Sequence, residues 1–224
     1  MEYDDIPVIT VDGPGGVGKG TLSQQLASYF KWHFLESGAL YRVLALAAEN
    51  HSVSLDNHQA LAVLAQHLDV VFEDNPNRVV LEGQNITKSL REESCGKAAS
   101  IIAAIPAVRE ALLVRQQDFL QPPGLVADGR DMGTVIFPDA PLKIYLEASP
   151  EIRAKRRQLQ LKEQGIDVSL ESLLTEINER DARDMSRSVA PLKPAQDAVI
   201  IDTSYLRIVD VFEQVVEEAR KRGL

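Results

Sequence analysis

Residues 9–21 read ITVDGPGGVGKGT, and this stretch constrains the fold more than any other part of the chain. A short apolar run leads into a glycine-rich turn, and a helical pattern follows the turn. Gly13, Gly18 and Lys19 have the spacing of a P-loop. Glycines let successive backbone N–H groups point toward a phosphate chain, and the following helix adds free amides and the positive end of its dipole. The stretch therefore predicts a strand, a phosphate-binding loop and a helix, with Lys19 as a point charge for the outer phosphates.

The P-loop departs from the general form at one position. Gly20 stands where a serine or threonine usually follows the lysine, and Thr21 comes one position later. This Gly-Lys-Gly-Thr form is typical of nucleoside monophosphate kinases. The alternative is a glycine-rich turn that binds no ligand. We disfavour it because strand, loop and helix occur in the order that phosphate binding needs.

The charge balance of the chain narrows the range of partners. Lys and Arg number 24 against 33 Asp and Glu, which gives a net charge of −9. Binding to nucleic acid or to a membrane surface needs a broad positive field, so we expect neither partner. No apolar run approaches the roughly 18 residues of a membrane span, and the acidic N-terminus is unlike a secretory signal. We expect a cytoplasmic protein that works as a monomer.

Short apolar runs predict buried parallel strands, because they do not alternate between apolar and polar residues. They cover residues 8–11, 125–127, 143–146 and 199–201. Helical patterns separate these runs, for example at residues 21–32, 40–48, 107–120 and 206–220. The alternation predicts one domain over residues 1–224 with a doubly wound α/β fold, in which helices cover both faces of a parallel sheet.

Two stretches interrupt this alternation. Residues 56–104 contain a helix, two strand-like runs on either side of residues 74–77, and a further helix from about Ser89. The two runs read as a hairpin, so we predict an inserted subdomain with a small antiparallel sheet. Residues 153–168 begin with a basic helix that ends at Gly165, and a second helix follows directly. Two helices joined by a short glycine-containing turn predict a mobile lid.

Asp128, Arg130 and Asp131 follow a predicted buried strand, in the sequence VADGRDMG at residues 126–133. In an open α/β sheet, ligands bind beyond the carboxyl ends of the strands. Asp128 is then expected beside the P-loop, where a carboxylate orients Mg²⁺ or its water ligands. Arg130 and Asp131 are expected to project into the cleft. The alternative is an ordinary turn with solvated charges, which is disfavoured because sheet-end loops of this fold usually carry function.

Arg180, Asp184 and Arg187 occupy positions i, i+4 and i+7 and so share one face of a predicted helix. Phosphoryl transfer needs several cations around the moving group, and a planar guanidinium binds two phosphate oxygens at once. Arg42, in the sequence SGALYR that starts at Ser37, is a further candidate for an acceptor phosphate. The alternatives are solvated helices whose arginines are exposed.

Taken together, these motifs resemble one family, the bacterial cytidylate kinases, over essentially the whole chain. The resemblance rests on residues 13–21, 37–42, 128–140 and 179–187. The third of these motifs is the most specific, since adenylate kinases lack it. The resemblance implies a core sheet, a lid, and a monophosphate-binding subdomain enlarged by a small sheet. It also implies transfer of the γ-phosphoryl group of ATP, with Mg²⁺, to CMP and dCMP.

The resemblance further implies roles for individual residues. The residues implied in binding the ATP phosphates are those of the P-loop and two lid arginines, namely Gly13, Pro14, Gly15, Gly16, Val17, Gly18, Lys19, Gly20, Thr21, Arg156 and Arg157. The residues implied in binding CMP are Ser37, Arg42, Ser100, Arg109, Arg130, Asp131, Arg180, Asp184 and Arg187. The residues implied in catalysis are Lys19, Arg130, Arg180, Asp184 and Arg187.

Within that set, the roles divide further. Arg42, Arg130 and Arg187 are expected to hold the CMP phosphate. Ser100, Arg109 and Asp131 are expected to read cytosine, and Arg153 is expected in the lid region. One departure stands out: many relatives carry serine at the position of Gly15. One substrate contact is therefore missing here, or water replaces it.

Two other functions stay open on the sequence. One is a related kinase with a different acceptor, such as UMP or AMP. The other is a GTPase-like switch, whose output is conformational; it is disfavoured because no Asn-Lys-x-Asp sequence for reading guanine occurs in the chain. ATP turnover with and without CMP separates the kinase from the switch, because only the kinase depends on the acceptor.

Overall fold

Strands and helices alternate along the chain, which the computed structural model describes over residues 6–73, 78–163 and 165–224. The strands are β1 Val8–Asp12, β2 His33–Glu36, β3 Val70–Glu73, β4 Arg78–Leu81, β5 Gln84–Asn85, β6 Leu125–Gly129, β7 Leu142–Glu147 and β8 Val199–Asp202. The helices are α1 Lys19–Phe30, α2 Ser37–Asn50, α3 His58–Gln66, α4 Glu93–Ile102, α5 Pro106–Gln117, α6 Pro150–Glu163, α7 Leu170–Ser186 and α8 Ile208–Lys221. Ser89–Arg91 form a 3₁₀ turn, and Met132–Ile136 form a π-helical turn.

Five parallel strands form the central sheet, in the order β2-β6-β1-β7-β8. β1 and β6 are buried at every residue, which explains why their sequences do not alternate. The parallel register brings the carboxyl ends of the strands to one edge. Glu36 pairs with Asp128 there, and Asp12 lies opposite Gly129. The predicted site residues that follow these strands are therefore neighbours in space.

Helices cover both faces of this sheet. On one face, Leu22 and Leu26 of α1 and Val215 of α8 pack against β1 and β7. On the other face, Leu40 of α2 packs with Met132 from the π-helical turn. These packed helices hold the start of α1 and the turn after β6 at fixed positions over the sheet edge.

A second, antiparallel sheet of three strands, β3-β4-β5, lies within the segment predicted as an insertion. The predicted turn at residues 74–77 lies outside the described residues. Val79 and Leu81 of this sheet share one apolar cluster with α2, α3, α4 and α5. The 3₁₀ turn and α4 are thereby packed onto α2, which carries Arg42. The boundaries of the inserted subdomain stay a prediction.

The two helices α6 and α7 pack on each other through a much smaller core. Its buried members are Ala154, Leu161 and Leu173. The predicted lid, residues 153–168, covers most of α6 and the connection to α7. Because so little apolar surface fixes this pair, charged contacts must contribute much of its placement against the rest of the chain.

The structure confirms the predicted parallel sheet, including the four strands expected at residues 8–11, 125–127, 143–146 and 199–201. Sequence patterns missed β2, because only Phe34 and Leu35 of its four residues are buried. They also missed the π-helical turn, which depends on distant partners described below. Among the described residues, no helix has both the length and the apolar character needed to cross a bilayer.

Candidate active site

A cleft of about 1010 Å³ opens beyond the carboxyl ends of the central strands. The P-loop and α1 form its floor, and helices α6 and α7 form one wall. Elements α2, α4 and α5 form the opposite wall. Most of the predicted site residues line it: Gly15, Gly16, Val17, Gly18, Lys19, Gly20, Thr21, Ser37, Arg42, Ser100, Arg109, Asp128, Arg130, Asp131, Arg156, Arg157, Arg180 and Arg187. Residues predicted from four separate motifs thus share one cavity, whose volume is at the upper end of the range for ligand-binding clefts.

The P-loop has the backbone shape that its glycines allow. Gly13, Gly16 and Gly18 have φ values of +144°, +80° and +98°, a region that side chains disfavour. A Cβ on Gly13 would also overlap the carbonyl oxygen of Leu146. Lys19 begins α1 and donates a hydrogen bond from Nζ to the Pro14 carbonyl at 2.9 Å. The lysine is therefore folded back over the loop.

Lys19 and Asp128 face each other at the cleft floor, with Nζ 3.9 Å from Oδ1. Both side chains are buried. Burial lowers the pKa of Lys19 and raises the pKa of Asp128, and the neighbouring Arg130 lowers the lysine pKa further. Without a ligand, the site therefore disfavours the charged lysine, and an anionic ligand would favour it.

On the acceptor side, Asp184 lies between two arginines. Arg130 Nε donates to Asp184 Oδ2 at 3.0 Å, and Arg187 pairs with the other carboxylate oxygen. Asp184 is 1% exposed, so this is not the solvated helix face that was the alternative. The two arginines and Arg180 lower the pKa of Asp184 against the opposing effect of burial.

Arg180 has few partners of its own. Its buried Nε lacks a hydrogen-bond acceptor within the described chain, as does the Nε of Arg187. Burial, and then the neighbouring Arg130, lower the pKa of Arg180 to about 10. Buried donors without acceptors are costly, and an anionic ligand between these guanidinium groups would satisfy them.

A buried ion pair between Arg109 and Asp131 lies deeper in the acceptor half. Arg109 also donates to the Ala103 carbonyl at 3.0 Å, and its guanidinium lies 5.7 Å from the centre of the Tyr41 ring. Ser100 is close by and accepts a long hydrogen bond from Arg183 at 3.5 Å. The three residues predicted to read a base therefore lie in one part of the cleft.

Arg42 is fixed by the inserted segment. Its Nη1 donates to the Leu90 carbonyl at 2.7 Å, and α4 passes directly over its guanidinium at Gly96. A Cβ on Gly96 would lie 3.0 Å from Arg42 Nη2. The small residue thus permits the close approach. Ser37 begins α2 at the same end of the cleft and is buried.

Arg156 and Arg157 of α6 differ in what they contact. Arg156 Nη1 donates to Thr203 Oγ1 at 3.2 Å, on the loop after β8. Arg157 pairs with Glu93 of α4 at 2.8 Å, across the mouth of the cleft. Both line the cavity beside the P-loop. Their predicted contact with ATP stays a prediction.

The structure shows contacts of two residues, Asp12 and Arg153, that the sequence did not indicate. Asp12 accepts hydrogen bonds from the backbone N–H groups of Met132 and Gly133, both at 2.8 Å, and so anchors the turn that carries Asp131. Burial raises the pKa of Asp12 to about 7. The sequence feature that could have indicated this role is a carboxylate at the end of an apolar strand. Arg153 lies on α6, within the predicted lid region, and its guanidinium is buried against the Gly15 carbonyl of the P-loop, a contact that the sequence did not indicate.

Comparison with known proteins gives a consistent result. A family model described as cytidylate kinase matches residues 9–221. A curated cytidylate kinase from Stutzerimonas stutzeri is 56% identical over 223 residues, which are 98% of this chain and 97% of that protein. One from Pseudomonas syringae pv. syringae is 57% identical over 222 residues, 97% of each chain. Among solved structures, a gluconokinase from Sinorhizobium meliloti covers 97% of this chain and 94% of its own, with 15% identity and a TM-score of 0.49.

Proposed function

The chain belongs to the cytidylate kinase family, and we propose that it transfers the γ-phosphoryl group of ATP to CMP and to dCMP. One observation supports this proposal above the others. A Cβ on the P-loop residue Gly15 would lie 3.7 Å from Arg130 Nη2 and 3.8 Å from Arg180 Nη1. The loop for the donor phosphates and the cations for an acceptor phosphate therefore touch, which is the arrangement that direct transfer between two phosphates needs.

The chemistry requires charge and position more than a base. The acceptor phosphate is anionic near neutral pH, so its oxygen attacks the γ-phosphorus without losing a proton to the protein. Lys19 neutralises charge on the donor phosphates. Arg130, Arg180 and Arg187 neutralise the acceptor and the transferred group, and Asp184 keeps two of these guanidinium groups in place.

The residues beside the P-loop fit the Mg²⁺ ion that accompanies ATP. Asp128 is a buried carboxylate whose contact with Lys19 is too long for a hydrogen bond. Glu36 is its register partner on β2, and Thr21 lines the same part of the cleft. Oxygen donors in small number suit Mg²⁺, which keeps several waters and binds phosphates. Asp128, with Glu36 and Thr21 nearby, would hold the ion directly or through its waters, and the ion would supply positive charge that offsets the charge of the donor phosphates.

Base selection follows from the Arg109–Asp131 pair. Cytosine presents an amino group from which a carboxylate accepts a hydrogen bond, whereas uracil presents a carbonyl at the same position. Asp131 facing uracil would lose that bond in a buried site. Arg109 would serve the ring acceptors that both bases have. We therefore propose CMP over UMP as the preferred acceptor.

The lid helices would close over ATP and exclude water, which otherwise competes with CMP for the phosphoryl group. Arg156 and Arg157 lie on the face that the lid presents to the cleft. The cytoplasmic location and the monomeric state stay predictions.

A coupled ADP-release assay with ATP, Mg²⁺ and a panel of nucleoside monophosphates tests the function. We expect rapid ADP release with CMP and dCMP, slower release with UMP, and almost none without an acceptor. Lys19→Met provides the control for a contaminating kinase, because it removes the donor-phosphate cation. ADP release that does not depend on the acceptor would contradict the proposal and favour a switch. A preference for AMP or UMP over CMP would show that the chain is a kinase for a different nucleoside monophosphate.

A further inference from the structure

Arg153 lies among the lid arginines in sequence but differs from them in its surroundings. It is 2% exposed, and its guanidinium contacts three separate parts of the chain. Nε donates to the Ala148 carbonyl at 3.0 Å, and Nη1 donates to the Gly15 carbonyl at 3.1 Å. Both terminal nitrogens also pair with the carboxylate of Asp181, Nη1 to Oδ1 at 3.2 Å and Nη2 to Oδ2. A single side chain thus connects the end of β7, the P-loop and α7.

The contact with Gly15 orients the P-loop backbone. A peptide group is planar and trans, so its carbonyl and its N–H point in opposite directions. Because the Gly15 carbonyl is turned toward Arg153, the N–H of Gly16 is turned away from Arg153. Gly16 itself packs on the same residue, since its Cβ would lie 3.2 Å from Arg153 Cβ. Arg153 therefore fixes one of the amides that the P-loop offers to phosphate.

The contact with Asp181 fixes the acceptor side. Asp181 is one residue from Arg180 and three residues from Asp184 on α7. The bidentate pair holds this turn of α7 next to the loop, where Arg180 Nη1 comes within 3.8 Å of the Gly15 Cβ position. The apolar core that fixes α7 lies against α6, and the Arg153–Asp181 pair adds a buried polar link from α7 to the P-loop carbonyl of Gly15.

Fold stability alone does not account for such a pair. Burying two charges costs desolvation energy, and apolar residues of similar size often stabilise a core equally well. What an arginine adds is a rigid fork with fixed directions for several hydrogen bonds. Resting on the proposed function, we propose that Arg153, with Asp181, is a positioning residue that sets the distance and angle between donor and acceptor phosphates. All three of its guanidinium nitrogens donate to protein acceptors, so the proposal assigns it no substrate contact.

The test uses two mild variants, Arg153→Lys and Asp181→Asn, and the double variant. Lysine keeps the charge but lacks the planar fork that directs donors to the three partners at fixed angles, and asparagine keeps the shape but loses the charge. We expect kcat with CMP to fall about tenfold to a hundredfold in each, as for small misplacements of reacting groups. The double variant should fall little further, because both changes break one linkage. Separate dissociation constants for ATP and CMP should change less than about threefold.

A bisubstrate ligand, adenosine and cytidine joined through five phosphates, measures the positioning itself. Its affinity exceeds that of the separate nucleotides only if both sites keep the right spacing. We call the gain in affinity of the bisubstrate ligand over the separate nucleotides the linkage advantage. Measured by calorimetry, it should fall at least about tenfold in the variants. A role confined to stability would lower the melting temperature and leave the advantage unchanged.

Asp197→Asn is the matched control, since it breaks the Lys143–Asp197 pair of 2.9 Å outside the cleft. It should keep wild-type kcat and bisubstrate affinity. If the wild-type chain phosphorylates CMP while both single variants keep kcat within twofold, or keep the linkage advantage, the positioning role is wrong and the function stands. If the wild-type chain does not phosphorylate CMP, the proposed function fails by itself. Where one variant fails to fold, the other decides.

Discussion

The proposed donor and acceptor halves of the cleft differ in the groups that form them. The donor half consists of backbone: a loop with three glycines at positive φ, closed by a lysine that folds over it. The acceptor half consists of side chains from four separate segments. They are Arg42 on α2, Arg109 on α5, Arg130 and Asp131 after β6, Asp184 on α7, and Arg187 at its end. A site built from backbone depends on few side chains, whereas a site built from paired charges makes each residue depend on its partner.

The acceptor half also depends on a balance of charges within its own cluster of side chains. The chain carries a net charge of −9, so a dianionic acceptor must be attracted by a local cluster. The arginines of that cluster repel each other, and the lowered pKa of Arg180 records both its burial and the repulsion by Arg130. Asp184 and Asp131 offset this repulsion from within the cluster. Each carboxylate is thus part of the binding site even where it cannot touch a phosphate.

The largest expected effect tests the donor half. Lys19→Met should lower kcat/KM about a hundredfold to a thousandfold, as for the loss of one preorganised donor to transition-state charge. The side chain faces the cleft and the Pro14 carbonyl, so the fold loses little packing. Steady-state kinetics and a thermal melt measure the two quantities. Near wild-type turnover in a folded variant would mean that backbone amides alone suffice.

Arg187→Lys tests the acceptor half with charge held constant. Lysine cannot give a forked contact to phosphate and cannot keep the same geometry with Asp184. The loss of charge-assisted hydrogen bonds predicts a fall of about tenfold to a hundredfold in kcat/KM for CMP. Varying CMP at saturating ATP measures it. If the rate stays unchanged, Arg187 only balances the charge of the buried Asp184 and does not bind the acceptor phosphate.

Asp131→Ala tests the base-reading pair. The change removes the acceptor for the amino group of cytosine and leaves Arg109 with the Ala103 carbonyl as its remaining hydrogen bond among the described residues. Activity with CMP should therefore fall more than activity with UMP. We expect the ratio of their kcat/KM values to narrow by about tenfold or more. An equal loss for both nucleotides would assign Asp131 to holding Arg109, without a role in choosing the base.

The same division explains what the sequence could predict. The P-loop is contiguous, so residues 13–21 contain both its chemistry and its context, and the strands around it are plainly apolar. The partners of Asp12 are about 120 residues away, and no local pattern connects them. The family resemblance grouped Arg153 with Arg156 and Arg157 in the lid region, and no local pattern shows which of these side chains a neighbouring element will bury. Most acceptor residues were proposed from their own motifs, whereas Ser100 and Arg109 came only from the family resemblance. Their pairing with each other exists only in the folded chain and could not be predicted.

A smaller effect is expected from Gly96→Ala, which should weaken CMP binding without lowering the stability of the fold. Gly96→Ala places a methyl group 3.0 Å from Arg42 Nη2, so the guanidinium must shift. The same change favours helix formation in α4 by up to about 1 kcal/mol. We expect the KM for CMP to rise about threefold to tenfold, because a displaced phosphate ligand misplaces the acceptor. The melting temperature should stay level or rise. The control substitution is Ser89→Ala, in the 3₁₀ turn that precedes α4. Gly83→Ala is unsuitable as a control because the φ of Gly83 is positive.

The smallest effect is expected where a side chain would be added to the backbone-built half. Gly15→Ser places the residue that many relatives carry into the loop. Gly15 is absent from the glycines with positive φ, and the first atoms its Cβ meets are Arg130 Nη2 and Arg180 Nη1 at ordinary contact distance. The loop should therefore accept serine without strain, and the hydroxyl can reach a phosphate oxygen that water otherwise reaches. We expect kcat/KM for CMP to change less than about threefold, measured beside Gly15→Ala. A gain of tenfold or more with serine but not with alanine would show that the donor half also relies on a side-chain contact, and would weaken the contrast between the two halves.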